Sequence, residues 1–176
     1  AREVWLEIGF GGGEHMIAQA AANPDVGLIG CEPFVNGVAM LLSAIERAGV
    51  ENLRIHAGDA RDLMDVIPAG SIGRVFLNYP DPWPKKRHWK RRFVNPPQLD
   101  QLARIMAPGA EFRVATDIAD YVRHTLEQIA RDGRFEWTAR RPADWREPPE
   151  GWPGTRYEAK AIREGRRPHY LAFVRR

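Results

Sequence analysis

Four acidic side chains stand at or just beyond the ends of short apolar runs in the first half of the chain: Glu7, Glu32, Asp59 and Asp81. Glu7 comes shortly before a glycine-rich turn, Gly9 to Gly13. Glycines let the backbone turn tightly and approach a ligand closely, and a helix that begins after such a turn presents free N–H groups. Carboxylates beside the turn can accept hydrogen bonds from hydroxyl and amino groups. The combination predicts a nucleoside-binding site.

Two nucleoside cofactors fit such a site, S-adenosylmethionine and a nicotinamide dinucleotide. The glycines follow the pattern G-x-G-x-G rather than the dinucleotide pattern G-x-G-x-x-G, although Gly12 blurs the distinction. A Glu7 carboxylate would repel a pyrophosphate but attract the ammonium of a methionine group. Glu32 is then expected to bind the ribose hydroxyls and Asp59 the adenine amino group, with capping or solvated acids as the alternative for both. The residues favour the methyl donor.

Asp81 lies in a turn with three prolines in five residues, Pro80 to Pro84. Such a turn is stiff, and at the end of a strand it would project Asp81 towards the donor's methyl group. We expect a purine clamp in which Asp81 accepts hydrogen bonds from the base and an aromatic ring stacks on it. The alternative is a rigid connection in which Trp83 is a hydrophobic plug.

A basic segment, Lys85–Arg92, begins directly after this turn. It holds six Lys or Arg among its eight residues and no acid, whereas the whole chain has a net charge of only +3. Basic runs are usually solvated surface, but this one is contiguous with the predicted base pocket. A local cluster of cations is the expected feature of a protein that binds nucleic-acid phosphates.

The composition limits the remaining possibilities. A chain of 176 residues that is 44% hydrophobic is long enough for one well-buried domain, which we place at 1–176. No apolar run reaches membrane-spanning length. The single cysteine, Cys31, cannot form an internal disulfide, which favours a reducing, cytoplasmic setting. The five histidines are scattered, so no metal site is expected. The start at Ala1, close to the first strand, indicates an N-terminal truncation.

The elements that must position these residues alternate between apolar runs and helix-period segments. This alternation predicts an α/β fold, a doubly wound and mostly parallel sheet that ends in an antiparallel hairpin. Ligands bind such sheets at the carboxyl ends of the strands. The seven predicted strands are 4–8, 26–31, 53–56, 72–77, 112–115, 135–138 and 170–174. The predicted helices cover about 13–22, 38–48, 96–106 and 118–129.

The connection between the last two strands, 140–168, is rich in Pro, Trp and Arg and has no clear periodicity. A connection of this length is more often a functional loop than a linker. We therefore expect a substrate loop at 140–168.

Several segments together resemble one family, the bacterial single-subunit tRNA (guanine-N(7)-)-methyltransferases. The Pro-Asp-Pro-Trp turn followed by the basic run is the most specific of them, whereas the glycine turn occurs in many methyltransferases. The matching segments are LEIGFGGG (6–13), GCEPF (30–34), GDA (58–60), NYPDPWPKKRHWKRR (78–92), ATD (115–117) and TRYE (155–158).

The resemblance implies a set of site residues. Asp81 would be catalytic and would also contact the donor. The other cofactor-binding residues would be Glu7, Gly9, Gly11, Glu32, Asp59, Ala60 and Asn78. The substrate-binding residues would be Lys85, Asp117, Thr155, Arg156, Tyr157 and Glu158. The RNA-contacting residues would be Arg87, His88, Trp89, Lys90, Arg91 and Arg92.

The implied reaction is methyl transfer from S-adenosyl-L-methionine to N7 of a guanine in tRNA, at position 46 of the variable loop, without a metal, a membrane or an obligate protein partner. The family commonly has Thr-Lys-Phe-Glu where this chain has Arg156 and Tyr157, and Arg does not replace Lys neutrally where hydrogen-bond geometry counts. Read from the residues alone, Asp117 could instead cap a helix, and Glu158 could form a loop ion pair with Arg156.

Guanine N7 carries a lone pair in its neutral form, so the transfer needs orientation more than a strong base. Two further alternatives remain open. One is an amino-group methylase, whose Asn-Pro-Pro-Tyr turn differs from Asn78–Asp81 at the second and fourth positions. The other is a non-catalytic RNA-binding module, which the intact set of four acids argues against.

Overall fold

A computed structural model describes all residues, 1–176, and shows one seven-stranded sheet with helices on both faces. Along the sheet the strands lie in the order β3-β2-β1-β4-β5-β7-β6. The strands are β1 (Glu3–Ile8), β2 (Val26–Cys31), β3 (Leu53–His56), β4 (Ile72–Asn78), β5 (Met106–Thr116), β6 (Phe135–Trp137) and β7 (His169–Arg175).

Helices follow most of the strands. Neighbouring strands pair in parallel from β3 through β5, and β7 alone runs antiparallel, between β5 and β6. The predicted α/β class and the antiparallel C-terminal pair are confirmed. The helices are α1 (Glu14–Ala22), α2 (Val35–Ala48), α3 (Ala60–Val66), α4 (Pro96–Ile105), α5 (Ala119–Asp132), α6 (Ala143–Arg146) and α7 (Arg156–Arg163), with a 3₁₀ helix at Lys86–Arg91.

The alternation of side chains along β1 shows how the sheet is covered. Trp5 packs in a cluster of nine buried residues with side chains of α1 and α2. Its neighbour Leu6 points to the opposite face and joins a cluster of 25 buried residues that includes side chains of α3, α4 and α5. Because successive side chains of a strand point to opposite faces, one apolar strand can anchor both helical layers.

The central pair of strands marks the place where a ligand is expected. β1 pairs with β2 on one side and with β4 on the other, so the strand order changes direction there. A crevice opens at such a switch point beyond the carboxyl ends of the strands. The glycine turn that follows β1 and the proline turn that follows β4 therefore lie next to each other.

Three helical regions were not predicted from the sequence: α3, the 3₁₀ helix at Lys86–Arg91, and the two helices of the 140–168 segment. α3 begins directly after Asp59, whose side chain accepts a hydrogen bond from Arg61 N at 2.9 Å, as in a helix cap. The 140–168 segment contains α6 and α7, and Thr155 caps α7. All of these helices are short, so none of them contains enough turns to show a clear periodic pattern.

The residue before α4 does not cap that helix with its side chain. Asn95 occupies the position before the helix, but its amide donates to the carbonyls of Trp89 and Arg92 at 2.9 and 2.8 Å instead of capping. Asn95 thus closes the preceding 3₁₀ helix onto α4. No helix in the structure is both long enough and apolar enough to cross a bilayer.

Candidate active site

A cleft of about 320 Å³ opens at the carboxyl ends of β1, β2 and β4. Its volume is in the range of small-molecule sites. The structure brings seven of the eight predicted cofactor-binding residues to its walls, all except Glu7. These residues are Gly9, Gly11, Glu32, Asp59, Ala60, Asn78 and Asp81.

The glycine turn forms the floor of this cleft. Gly9 and Gly11 have φ values of 69° and 58°, in the left-handed region that favours glycine. A Cβ on Gly9 would meet nothing within 4 Å, whereas one on Gly11 would lie 2.9 Å from the ring of Tyr157. The turn therefore leaves a cradle over Gly9 that a side chain would fill, as expected where a ligand contacts the backbone.

Glu32 is fixed by the backbone around it. Its two carboxylate oxygens accept hydrogen bonds from Gly11 N at 2.8 Å and from Phe34 N at 3.0 Å, and the residue is only 5% exposed. Each carboxylate oxygen has a second lone pair, so Glu32 can still accept the two hydroxyls of a ribose. This wall fits a nucleoside.

Asp59 is held in a different way. One oxygen caps α3, and the other accepts from Arg61 Nη1 at 2.8 Å. Its side chain is 47% exposed, and Arg61 also lines the cleft. The capping role that the sequence left open is therefore present, and Asp59 keeps one face towards the cleft.

Glu7 lies beneath the cleft rather than on its wall. Its carboxylate is buried and accepts from His15 Nδ1 at 2.6 Å and from Asn78 Nδ2 at 3.4 Å. Asn78 lines the cleft, so Glu7 can act on a ligand through the Asn78 amide. Nothing in the sequence indicated that Glu7 would be paired with a buried histidine.

The turn around Asp81 has an unusual backbone. Tyr79 and Trp83 have φ values of 51° and 41°, and each precedes a proline. A non-glycine residue in this region costs on the order of 1–3 kcal/mol unless its surroundings hold it there. The backbone N–H of Tyr79 donates to Ala115 O at 2.7 Å, which anchors one side of the turn to β5. Asp81 itself is exposed at the mouth of the cleft.

Arg92 corrects the predicted RNA-contacting set. Its side chain is fully buried, and its guanidinium donates to the carbonyls of Pro82 and Trp83 and to the carboxylate of Asp120. A group with no exposed surface cannot contact a phosphate in this conformation. Arg92 looked like part of a basic run because sequence alone does not show which cation of a run faces inward.

The rest of the basic segment faces outward. Lys85, Lys86, Arg87 and Lys90 are exposed and form no ion pair, and Arg91 stacks over Trp83 at 4.9 Å. His88 lies against Trp83 with ring centroids 5.9 Å apart. Trp89 instead packs inward against His124 at 6.0 Å. A band of unpaired cations therefore adjoins the cleft.

The start of α7 covers the front of the cleft. Thr155 caps the helix by accepting from Glu158 N at 3.1 Å. Glu158 accepts from Tyr79 Oη at 3.2 Å and from Trp152 Nε1 at 2.5 Å. Burial and the nearby Glu158 carboxylate raise the pKa of Tyr79 far above its usual value, so its hydroxyl remains a donor. Tyr157 lines the cleft and stacks on Tyr79.

The other predicted substrate residues are more dispersed. Arg156 donates to Glu14 at the start of α1, at 2.6 Å, and not to Glu158 as the ion-pair alternative had it. Asp117 pairs with Arg166, and the helix-cap position of α5 is occupied by Ile118, so Asp117 does not cap that helix. Lys85 lies before the 3₁₀ helix and does not line the cleft.

Comparison with known proteins places this cleft in a family. Residues 1–171 match the family described as "Putative methyltransferase". A protein of Roseobacter denitrificans, named tRNA (guanine-N(7)-)-methyltransferase, is 67% identical over 99% of this chain and 74% of its own length. A protein of Ruegeria pomeroyi with the same name is also 67% identical, over 99% of this chain and 73% of its own length.

The chain belongs to the tRNA (guanine-N(7)-)-methyltransferase family. Solved structures agree in fold. The 16S rRNA methyltransferase KamB has a TM-score of 0.70 at 18% identity, over 99% of this chain and 88% of that one. The tRNA (m1A58) methyltransferase TrmI from Aquifex aeolicus has a TM-score of 0.56 at 18% identity, over 98% of this chain and 62% of that one.

Three residues of this family member's site were missed from the sequence. Tyr79 and Trp152 hold Glu158, and His15 holds Glu7. Tyr79 stands two positions before Asp81, so the motif itself was a signal. His15 and Trp152 gave none, because their rings meet only in the folded chain, 5.1 Å apart.

Proposed function

We propose that the chain transfers a methyl group from S-adenosyl-L-methionine to N7 of a guanine in tRNA. The observation that carries this proposal is the single cleft in which the glycine turn, Glu32 and Asp59 face Asp81. Exposed, unpaired cations of the segment Lys85–Arg91 lie beside it. The family relationship identifies the acceptor class, since the relatives carry that activity in their name.

The donor would occupy the floor of the cleft. Glu32 would accept the ribose hydroxyls, and Asp59 and Ala60 would border the adenine. Asn78, which is tied to the Glu7 carboxylate, would stand beside the methionine moiety. The donor supplies an electrophilic methyl group on a positively charged sulfur.

The acceptor base would enter beside Asp81 and Tyr157. The lone pair of guanine N7 forms the new bond to the methyl carbon, and the electron pair of the broken carbon–sulfur bond stays on sulfur. The guanine gains positive charge as the bond forms, which the Asp81 carboxylate stabilises. No proton has to be removed, so orientation of the base supplies most of the rate enhancement, up to ~7–11 kcal/mol of the barrier.

The tRNA itself would be held by phosphate contacts of the exposed cations and by α7. We propose the guanine at position 46 of the variable loop as the target, and the cytoplasm, where a buried single thiol such as Cys31 stays reduced, as the setting. Asp117, Thr155 and Glu158 would position the base or close α7 over it. We propose no obligate protein partner.

The proposal is tested by incubating the chain with labelled donor and bulk unmodified tRNA, followed by nucleoside analysis. We expect N7-methylguanosine. Asp81→Asn should lower kcat about 100-fold, because a charge aligned with the transition state is lost, and should change the donor Kd only a few-fold. Asp25→Asn, an exposed acid beyond the amino end of β2, serves as the matched control. A product methylated on another atom would refute the proposed reaction, and unchanged turnover in Asp81→Asn would refute the role of Asp81.

A further inference from the structure

We infer that Arg92 is a positioning residue that holds the Asp81 turn in place, and not a contact for RNA. The inference rests on the proposed role of Asp81. Arg92 Nε donates to Pro82 O at 2.9 Å, Nη2 lies 3.4 Å from Trp83 O, and Nη2 donates to Asp120 at 2.5 Å. One guanidinium therefore joins the two residues that follow Asp81 to helix α5.

The surroundings of Arg92 suit a structural cation. Its side chain is 0% exposed and lies between the rings of Trp89 and Tyr121, with the guanidinium carbon 4.8 and 5.5 Å from the ring centroids. Arg is the residue suited to such a place, because its planar fork can stack on rings and donate in several directions at once. The hydrogen bond from Arg92 holds the pKa of Asp120 below its usual value, so this partner is charged at neutral pH.

The Asp81 turn needs such an anchor. The Asp81 side chain makes no hydrogen bond or ion pair with the rest of the chain, so only its backbone sets where the carboxylate points. Two residues further on, Trp83 has a φ of 41°. A backbone in this region persists only where its neighbours over-determine it. Tyr79 is tied to β5 on one side of Asp81, and Arg92 supplies the tie on the other side.

Two substitutions separate positioning from RNA contact. Arg92→Lys keeps a positive charge, which would serve a phosphate contact, but loses the fork that reaches two carbonyls and a carboxylate. We expect kcat to fall about 30-fold, with the tRNA Kd and its dependence on salt unchanged. Arg87→Gln, in the exposed part of the same segment, should instead weaken tRNA binding and reduce the slope of log Kd against log salt by about 1.

A second variant tests the same inference if Arg92→Lys does not fold. Asp120 is partly exposed, so Asp120→Asn removes the charge that links Arg92 to α5 and, with it, the exposed pair of Asp120 with Arg123. We expect kcat to fall about five-fold and the donor Kd to stay unchanged. Calorimetric titration measures the donor Kd, and binding of the donor also shows that the variant is folded. Wild-type kcat in Arg92→Lys would overturn the inference. If Arg92→Lys does not bind the donor, Asp120→Asn alone tests the inference. Wild-type kcat in Asp120→Asn would then overturn it.

These outcomes are distinct from failure of the proposed function. If the wild-type chain makes no N7-methylguanosine, the function itself is wrong. If the wild-type chain makes it and both variants keep wild-type kcat, only the role of Arg92 is wrong.

Discussion

The two sides of the cleft are built in different ways. On the donor side, Glu32 and Asp59 bond to backbone N–H groups of Gly11, Phe34 and Arg61. On the acceptor side, long side chains form the bonds, and two of these bonds join residues that are far apart in sequence. Tyr79 donates to Glu158, 79 residues away, and Arg92 donates to Asp120, 28 residues away.

The difference bears on what each side can do. Backbone amides move only with the strands and turns that carry them, so the donor side is set as soon as the sheet forms. The acceptor side depends on long side chains, on the left-handed backbone at Tyr79 and Trp83, and on the placement of α7. A small donor suits the first arrangement, whereas a large RNA suits a side whose parts can adjust. Substitutions on the two sides should therefore affect different constants.

Glu32→Gln is expected to give the largest difference between the effect on donor binding and the effect on tRNA binding. The amide of Gln can offer only one oxygen to the two backbone donors, Gly11 N and Phe34 N, and the charge is lost. Loss of a charged hydrogen-bond acceptor costs about 2–3 kcal/mol, so the donor Kd should rise about 100-fold. The tRNA Kd should change little.

Calorimetric titration with the donor measures this effect. Glu46→Gln, an exposed acid on α2 with no ion pair, is the matched control. An unchanged donor Kd in Glu32→Gln would mean that the donor side does not depend on this carboxylate.

Glu158→Gln is expected to have a smaller effect, and to change kcat/KM for tRNA rather than the donor Kd. Its carboxylate holds Tyr79 and Trp152 at once, and a neutral amide can accept from them only weakly. We expect kcat/KM for tRNA to fall about 10-fold, which corresponds to roughly 1.4 kcal/mol, while the donor Kd stays within two-fold. Steady-state kinetics at varied tRNA concentrations measures this kcat/KM.

Glu147→Gln, an exposed acid in the same segment, is the control for that measurement. If Glu158→Gln weakens donor binding as much as tRNA turnover, then the two sides are coupled. The coupling would then run through Trp152, whose ring lies 5.1 Å from that of His15, the partner of Glu7.

The same contrast explains which features could be predicted from the sequence. The ends of β1, β2 and β4 were readable from apolar runs and turn residues, so the positions of Gly9, Glu32 and Asp81 followed from sheet topology alone. The donor side of the site was therefore largely predictable. Its errors were local ones, such as the depth of Glu7 and the helix that Asp59 caps.

Only the general layout of the acceptor side could be predicted from the sequence. Its cations and proline turn were visible, but Arg92 and Arg87 look alike in a sequence, and only packing buries one of them. The bond from Tyr79 to Glu158 and the pairing of Arg156 with Glu14 join residues 79 and 142 positions apart. No local pattern encodes such contacts, since they depend on where α7 lies against the sheet.

The smallest predicted effect concerns acid stability of the acceptor side. His124, on α5, lies behind the basic segment, and its Nε2 is 2.8 Å from Val94 O. Burial lowers its pKa below 6.5, and the charge of Arg92 lowers it further, against the opposing effects of Val94 O, Asp120 and Glu127. As the pH falls, the unfolded chain takes up the proton before the folded chain does. The contribution of His124 to the free energy of unfolding is therefore full above about pH 6.5 and declines as the pH falls towards the pKa of His124 in the folded chain.

Thermal unfolding at pH 8 and pH 5.5 measures this decline. The melting temperature of wild type should fall more than that of His124→Gln, by on the order of 2–4 °C, or about 1 kcal/mol for a domain of this size. Equal declines would show that the imidazole behind Arg92 is not what makes this side sensitive to acid.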